Sequence, residues 1–98
     1  MASIRNLKKD IDYLTSDIIS DSFLAIGLHG EKVQDRVNNV LEKIVDLHNN
    51  LYERINQSPT GKKSKEKKTY FNSIRNDIDK KYRDLYEELS KIITEGEK

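Results

Sequence analysis

Cysteine is absent from this sequence, and proline and glycine are scarce, with one proline and four glycines in 98 residues. Without cysteine, disulfide bonds and thiolate-based metal or redox chemistry are excluded. The scarcity of proline and glycine, together with charged residues at 36% of the chain, favours helices over sheets or disorder. We expect one domain, residues 1–98, around a single core.

Long apolar runs are also missing from the sequence. The longest uninterrupted run is Phe23-Leu24-Ala25-Ile26, whereas a helix that crosses a bilayer needs roughly 20 apolar residues. The residues from Met1 to Arg5 turn polar at once and lack the apolar core of a secretory signal peptide. These absences predict a cytoplasmic protein that does not associate with membranes.

Apolar residues repeat at helical spacing in three segments of the chain. The pattern predicts helices over about 3–27, 31–56 and 66–94, with Gly27 ending the first in a left-handed conformation. Pro59 lies in a predicted linker over 57–65. The seams are Ile4, Leu7, Ile11, Leu14 and Ile18; Val33, Val37, Val40, Ile44, Leu47 and Leu51; and Phe71, Ile74, Ile78, Tyr82, Leu85, Leu89 and Ile92.

The second segment has the widest apolar face, because its seam is extended sideways by Leu41, Val45, Tyr52 and Ile55. A face of that width contacts two neighbours, as the central helix of a bundle does. The sequence therefore predicts an all-α fold, an antiparallel up-down-up three-helix bundle of long amphipathic helices. The same seams also suit an open hairpin whose third helix packs on a second subunit, so that dimerisation completes the bundle.

Charge is nearly balanced, at a net value of +1, but one segment is strongly basic. Five lysines and one glutamate lie between residues 58 and 68, and the lysines are Lys62, Lys63, Lys65, Lys67 and Lys68. Such a run can contact nucleic-acid phosphates without reading sequence. No aromatic residue lies between the lysines for base stacking, so a solvated loop is the favoured interpretation.

Asp10, Asp17 and Asp21 fall on one narrow strip of the first predicted helix. Carboxylates this close repel one another, so we expect a compensating cation. Basic side chains of a neighbouring helix or subunit are the favoured source, and a bound Mg²⁺ is the alternative. A metal-dependent hydrolase is therefore a third functional hypothesis, although no Glu-x-x-His motif accompanies the strip.

The two histidines give little support for catalysis. His48 falls within the apolar arc of the second helix, where a half-buried imidazole needs a partner, most simply a carbonyl or carboxylate of an adjacent helix. His29 belongs to the predicted turn and is expected to be exposed. No nucleophile motif surrounds the serines Ser16 and Ser20, so the sequence predicts a protein that is not an enzyme and holds no cofactor or metal.

Aromatic residues at the edges of the seams suggest a protein interface. Phe23, Tyr70 and Tyr86 lie toward these edges and are expected to be the least buried aromatic residues of a closed bundle. Tyrosine suits such positions because its ring is apolar while its hydroxyl tolerates water. We therefore take these three residues as the candidate interface.

The segments Ile4-Arg5-Asn6-Leu7-Lys8-Lys9-Asp10-Ile11 and Tyr13-Leu14-Thr15-Ser16-Asp17 resemble the start of small, uncharacterised helical proteins of Bacteroides-type bacteria. The resemblance covers about a fifth of the chain and implies an all-helical bacterial protein. It implies no activity and carries over no site residues.

These observations favour a noncatalytic helical protein for protein–protein interaction or scaffolding, with self-association into a homodimer as one form of it. The alternative is a nucleic-acid accessory protein that binds phosphates through the basic segment 62–68. No small-molecule ligand is indicated.

Overall fold

A computed structural model describes residues 4–57 and 64–96, and within these ranges the chain forms three helices and no strand. The helices are α1 (Ile4–His29), α2 (Glu31–Asn56) and α3 (Ser64–Gly96). Together they form a rod with principal extents of 54 × 16 × 16 Å. The all-α prediction is confirmed, and no described helix is both long and apolar enough to span a membrane.

Bonds between the helices show their relative directions. Partner numbers on α3 rise with those on α1 and fall with those on α2, as in Asp10–Arg75, Asp17–Tyr86, Lys43–Glu88 and Arg54–Asp77. The order is therefore up-down-up, and each helix contacts both others. The bundle closes within one chain, so the open-hairpin alternative is wrong.

The core follows the predicted seams closely. Sixteen apolar side chains are buried, and Tyr82 is the largest of those that are fully buried. Four residues of the predicted seams are not buried: Ile4 is exposed, and Leu14, Leu47 and Phe71 are half-buried against the core. The buried set is Leu7, Ile11, Ile18, Ala25, Val33, Val37, Val40, Ile44, Leu51, Ile55, Ile74, Ile78, Tyr82, Leu85, Leu89 and Ile92.

Two buried hydroxyls on α1 satisfy their hydrogen bonds locally or across the core. Ser22 Oγ donates to the carbonyl oxygen of Ile18 at 2.7 Å, so this small polar residue needs no distant partner. Thr15 Oγ1 lies 2.7 Å from the Tyr82 hydroxyl, which joins α1 to α3 through the middle of the bundle. Burial of these polar groups is tolerated because both are bonded.

The turn between α1 and α2 lies later than predicted. The helix continues through Gly27 to His29, and the Gly30 amide still donates to the Ile26 carbonyl at 2.7 Å. Among the described residues only Gly30 has positive φ, at 61°, and it reverses the chain. The predicted end at Gly27 is therefore wrong, because a glycine ends a helix only where the following chain needs the left-handed conformation.

The third helix is longer than predicted at both ends. It begins at Ser64 rather than near residue 66 and ends at Gly96 rather than near residue 94. Residues 58–63, which form most of the predicted linker, lie outside the described residues.

Candidate protein-binding surface

Large apolar side chains remain outside the closed core, mainly on α1. Phe23 is 61% exposed and Val45 of α2 is 50% exposed. The candidate interface therefore keeps Phe23 at the surface, as predicted. The others of this kind are Ile4, Tyr13, Leu24 and Leu28.

Tyr70 and Tyr86 are half-buried, so the expectation that they are among the least buried aromatic residues is wrong. The Tyr86 hydroxyl donates to Asp17 Oδ2 at 2.5 Å, and the Tyr70 hydroxyl donates to the Arg54 carbonyl. Burial and the bond to Asp17 both raise the pKa of Tyr86 above its ordinary value. Each ring bridges two helices, because a seam-edge tyrosine is long enough to reach a polar group on its neighbour.

Four apolar residues form a surface patch where α1 and α2 meet. The Tyr52 hydroxyl donates to Asp12 Oδ1 at 2.6 Å, and the hairpin closes at Gly30. Because the two helices run antiparallel between the Asp12–Tyr52 bond and Gly30, outward residues of α1 lie beside outward residues of α2 that are about equally far from Gly30 along the chain. Two of the four apolar residues are half-buried and contact the core, and the other two are exposed. This α1–α2 patch consists of Ile19, Phe23, Leu41 and Val45.

Four exposed carboxylates run along the outer face of α2 beside the patch. At about 100° per residue they lie within one arc of about 60°. They form two like-charge pairs four residues apart, and such pairs are unfavourable on a helix. Glu42 and Asp46 line a shallow surface groove together with Leu41 and Val45, so they adjoin the apolar patch directly. This acidic stripe consists of Glu31, Asp35, Glu42 and Asp46.

Charge on α2 is segregated between two sides. Three of its four basic residues bind carboxylates of α3: Arg36 binds Glu95, Lys43 binds Glu88 at 2.9 Å, and Arg54 binds Asp77 at 2.5 Å. The bond from Arg54 lowers the pKa of Asp77 below its ordinary value. Among the described residues, none of the carboxylates of the acidic stripe enters an ion pair. The basic side of α2 is thus used within the bundle, and its acidic side faces solvent.

The aspartate strip of α1 faces α3. Asp10 Oδ2 lies 2.7 Å from Arg75 Nη1, which is the interhelical ion pairing that the sequence favoured. Asp17 accepts the Tyr86 hydroxyl. In the described part of the chain, no three His, Asp or Glu side chains converge in a way that could hold a metal ion. The predicted Mg²⁺ site is therefore not formed by Asp10, Asp17 and Asp21 within the described residues.

His48 has the kind of partner that its position predicted. Its Nε2 atom lies 3.1 Å from Asp12 Oδ1, and its ring packs on Tyr52 with centroids 4.4 Å apart. Hydrogen bonds from Tyr52 and His48 lower the pKa of Asp12. Burial and the bond to Asp12 raise the pKa of Tyr52 to about 12. The cluster of Asp12, His48 and Tyr52 joins α1 to α2, and this helix contact explains why the three side chains lie together.

His29 is half-buried, so its predicted exposure is wrong. It occupies the last turn of α1 and packs against the end of α3, where a Cβ added to Gly96 would lie 3.0 Å from the His29 ring. Its Nε2 atom is buried without a hydrogen-bond partner among the described residues. The ring thus fills the end of the bundle rather than lying in an open turn.

Part of the basic segment is helical. Lys65, Lys67 and Lys68 lie in the first turns of α3 and are exposed, whereas Lys62 and Lys63 lie outside the described residues. Since Asp10 of α1 pairs with Arg75, the start of α3 projects past the start of α1. These lysines therefore lie on a projecting helix end, and the part of the segment from residue 64 onward is not a loop.

No protein-family model, curated protein or solved structure matches this chain. The resemblance of residues 4–17 to uncharacterised bacterial proteins stays a prediction. Sequence reasoning missed the acidic stripe, although its spacing of four, seven and four residues is visible in the sequence.

Proposed function

We propose that this chain is a noncatalytic protein–protein interaction or scaffold module. The observation that carries the proposal is Phe23, a large apolar side chain that is 61% exposed although the core beside it is closed. It lies in the α1–α2 patch rather than alone, and contiguous exposed apolar residues mark interaction sites more often than scattered ones do. Aromatic residues at such positions contribute disproportionately to binding.

A photo-crosslinking amino acid at position 23, in the protein expressed in its own host, tests this proposal. We expect covalent adducts with the same protein in independent preparations, identified by mass spectrometry. The matched control places the same amino acid at Glu87, which is exposed on α3. Adducts that are irreproducible at position 23, or the same at both positions, would contradict the proposal.

Self-association is one form of this proposal, because a second copy can cover the same apolar patch. Light scattering across a dilution series measures it, and a homodimer is the expected assembly if the partner is another copy. The proposed cytoplasmic location and bacterial origin rest on the sequence expectations alone.

A second candidate function is nucleic-acid binding through the projecting end of α3. It is favoured by the exposure of Lys65, Lys67 and Lys68 at a helix N-terminus, where the helix dipole adds positive charge. Binding through these lysines should weaken steeply with salt. Fluorescence anisotropy with a labelled DNA and a labelled RNA, compared between the native chain and a Lys65→Glu/Lys68→Glu variant, distinguishes it. Equal affinity of the two proteins would exclude this function.

A further inference from the structure

We infer that the α1–α2 patch and the acidic stripe together bind an amphipathic helix of another protein, apolar on one face and lined with lysine or arginine along one edge. The inference rests on the proposed interaction function and specifies the partner. It is carried by the juxtaposition of an apolar surface with a row of four carboxylates that have no ion pair within the described residues.

The apolar part of the surface has two pairs of side chains, one pair on each of two neighbouring helices. Ile19 and Phe23 are one turn apart on α1, and Leu41 and Val45 are one turn apart on α2. A helix that lies between α1 and α2 would bury its own apolar residues, spaced three and four apart, against these four side chains. The half-buried members give this surface a fixed floor, because they already contact the core.

The acidic stripe selects a partner of positive charge. The acidic stripe runs from Glu31 to Asp46 along α2, which spans about 22 Å at a rise of about 1.5 Å per residue. A basic edge of the bound helix would face it over four turns. Phosphate-bearing partners such as nucleic acids or anionic lipids would be repelled by the same row.

The like-charge pairs oppose the stability of the free bundle, although Glu31 itself lies in the first turn of α2, where the helix dipole favours a negative charge. Glu31 and Asp35 are four residues apart, as are Glu42 and Asp46, and each such pair is destabilising on an exposed helix. Lys43 is three residues from Asp46, yet it binds Glu88 of α3 rather than the stripe. The positive charges of a basic partner would offset the repulsion within each pair.

The test uses a designed probe, since the natural partner is not identified. The probe is a fluorescent peptide of about 18 leucine and lysine residues with an amphipathic helical pattern, and its counterpart replaces each lysine by glutamate. We expect saturable binding of the leucine–lysine peptide by anisotropy and much weaker binding of the counterpart. The double variant Glu42→Gln/Asp46→Asn should weaken binding by about threefold to tenfold.

Two further variants separate binding at the α1–α2 patch from general charge attraction. Asp84→Asn/Glu87→Gln removes the same number of charges from exposed positions of α3, and it should change the affinity by less than about twofold. Phe23→Ala should weaken binding by about tenfold, since an anchoring aromatic residue is lost. Circular dichroism of each variant verifies that the bundle stays folded.

Several results would overturn the inference. These are failure of the leucine–lysine peptide to bind, equal binding of both peptides, or equal weakening by the two charge-neutralising variants. A native homodimer that Glu42→Gln/Asp46→Asn dissociates would show that a second copy, not another protein, occupies the surface. In each case reproducible adducts at position 23 would still support the proposed interaction function, so the two failures are distinguishable.

Discussion

The hydrogen bond between Thr15 and Tyr82 is the main polar contact in the bundle interior, with its oxygen atoms 2.7 Å apart. Tyr82→Phe leaves the Thr15 hydroxyl buried without this partner, which costs about 1–3 kcal/mol. Thr15→Val leaves the Tyr82 hydroxyl with only a long bond to the Ile11 carbonyl at 3.4 Å, whereas replacing both hydroxyls by apolar groups of similar shape is nearly neutral. We therefore expect Tyr82→Phe and Thr15→Val each to lower the free energy of unfolding, and the double variant to recover much of the loss. Urea denaturation measures this cycle, and additive losses would contradict the coupling.

Tyr86 should make the bundle sensitive to alkaline pH. Burial and its bond to Asp17 raise its pKa in the folded chain above the value of about 10 in the unfolded chain. The stabilisation is therefore complete below about pH 10 and is lost as pH rises from there through the folded-state pKa. We expect urea stability to fall above about pH 10, and to fall less steeply in Tyr86→Phe.

The control for the alkaline experiment is Tyr13→Phe, which removes a hydroxyl from a residue that is 71% exposed. An equal change of slope in both variants would show that the bridge from Tyr86 to Asp17 is not responsible. Tyr52 contributes in the same direction, because its pKa is raised to about 12. Its variant Tyr52→Phe should therefore also reduce the slope.

At the scale of elements, the helical hairpin contains two glycines whose substitution should have opposite effects. Gly27 is exposed within α1, and an added Cβ meets nothing within 4 Å. Gly27→Ala should thus stabilise the protein by up to about 1 kcal/mol, through helix propensity. Gly30 has a φ of 61° and a ψ of −135°, a conformation almost confined to glycine, so Gly30→Ala should cost about 1–3 kcal/mol.

Thermal unfolding of the two alanine variants, measured side by side, checks this prediction. One kcal/mol corresponds to about 4–8 °C in a domain of this size. A lower melting temperature for Gly27→Ala, or a higher one for Gly30→Ala, would show that the helix ends at Gly27 in solution, as the sequence alone had suggested.

The number of helices and nearly all of the core could be predicted, because each apolar seam records which face of its own helix is buried. Which side chains at the edges of the seams are covered could not be predicted. Leu41 and Val45 belong to the widened arc of α2 but lie in the α1–α2 patch, because the width that neighbours cover depends on helix distances that one helix does not encode. Likewise, the acidic stripe faces solvent only because α3 packs on the other side of α2.

At the scale of the whole molecule, the near-neutral net charge conceals an arrangement of charge by surface. Basic residues of α2 bind α3, the acidic stripe faces outward, and exposed lysines project at the start of α3. A net charge of +1 therefore says little about the partners of this chain. The electrostatic potential at each surface selects the partners, because screening limits the range of a charge to about 8–10 Å at physiological salt.

The acidic stripe leads to a prediction about stability that is independent of binding. Glu42→Gln/Asp46→Asn removes one like-charge pair and should raise the free energy of unfolding by about 0.2–0.5 kcal/mol, or about 1–4 °C in melting temperature. Asp84→Asn/Glu87→Gln gives the same net charge and also removes a like-charge pair, three residues apart, but these carboxylates each lie four residues from a lysine, Lys80 or Lys91. The two effects oppose each other, so we expect no gain or a small loss. Differential scanning calorimetry at low salt compares the two. If both variants gained equally in free energy of unfolding, the gain would follow from net charge. Repulsion within the acidic stripe would then not destabilise the free bundle, and a basic partner would have no such repulsion to offset.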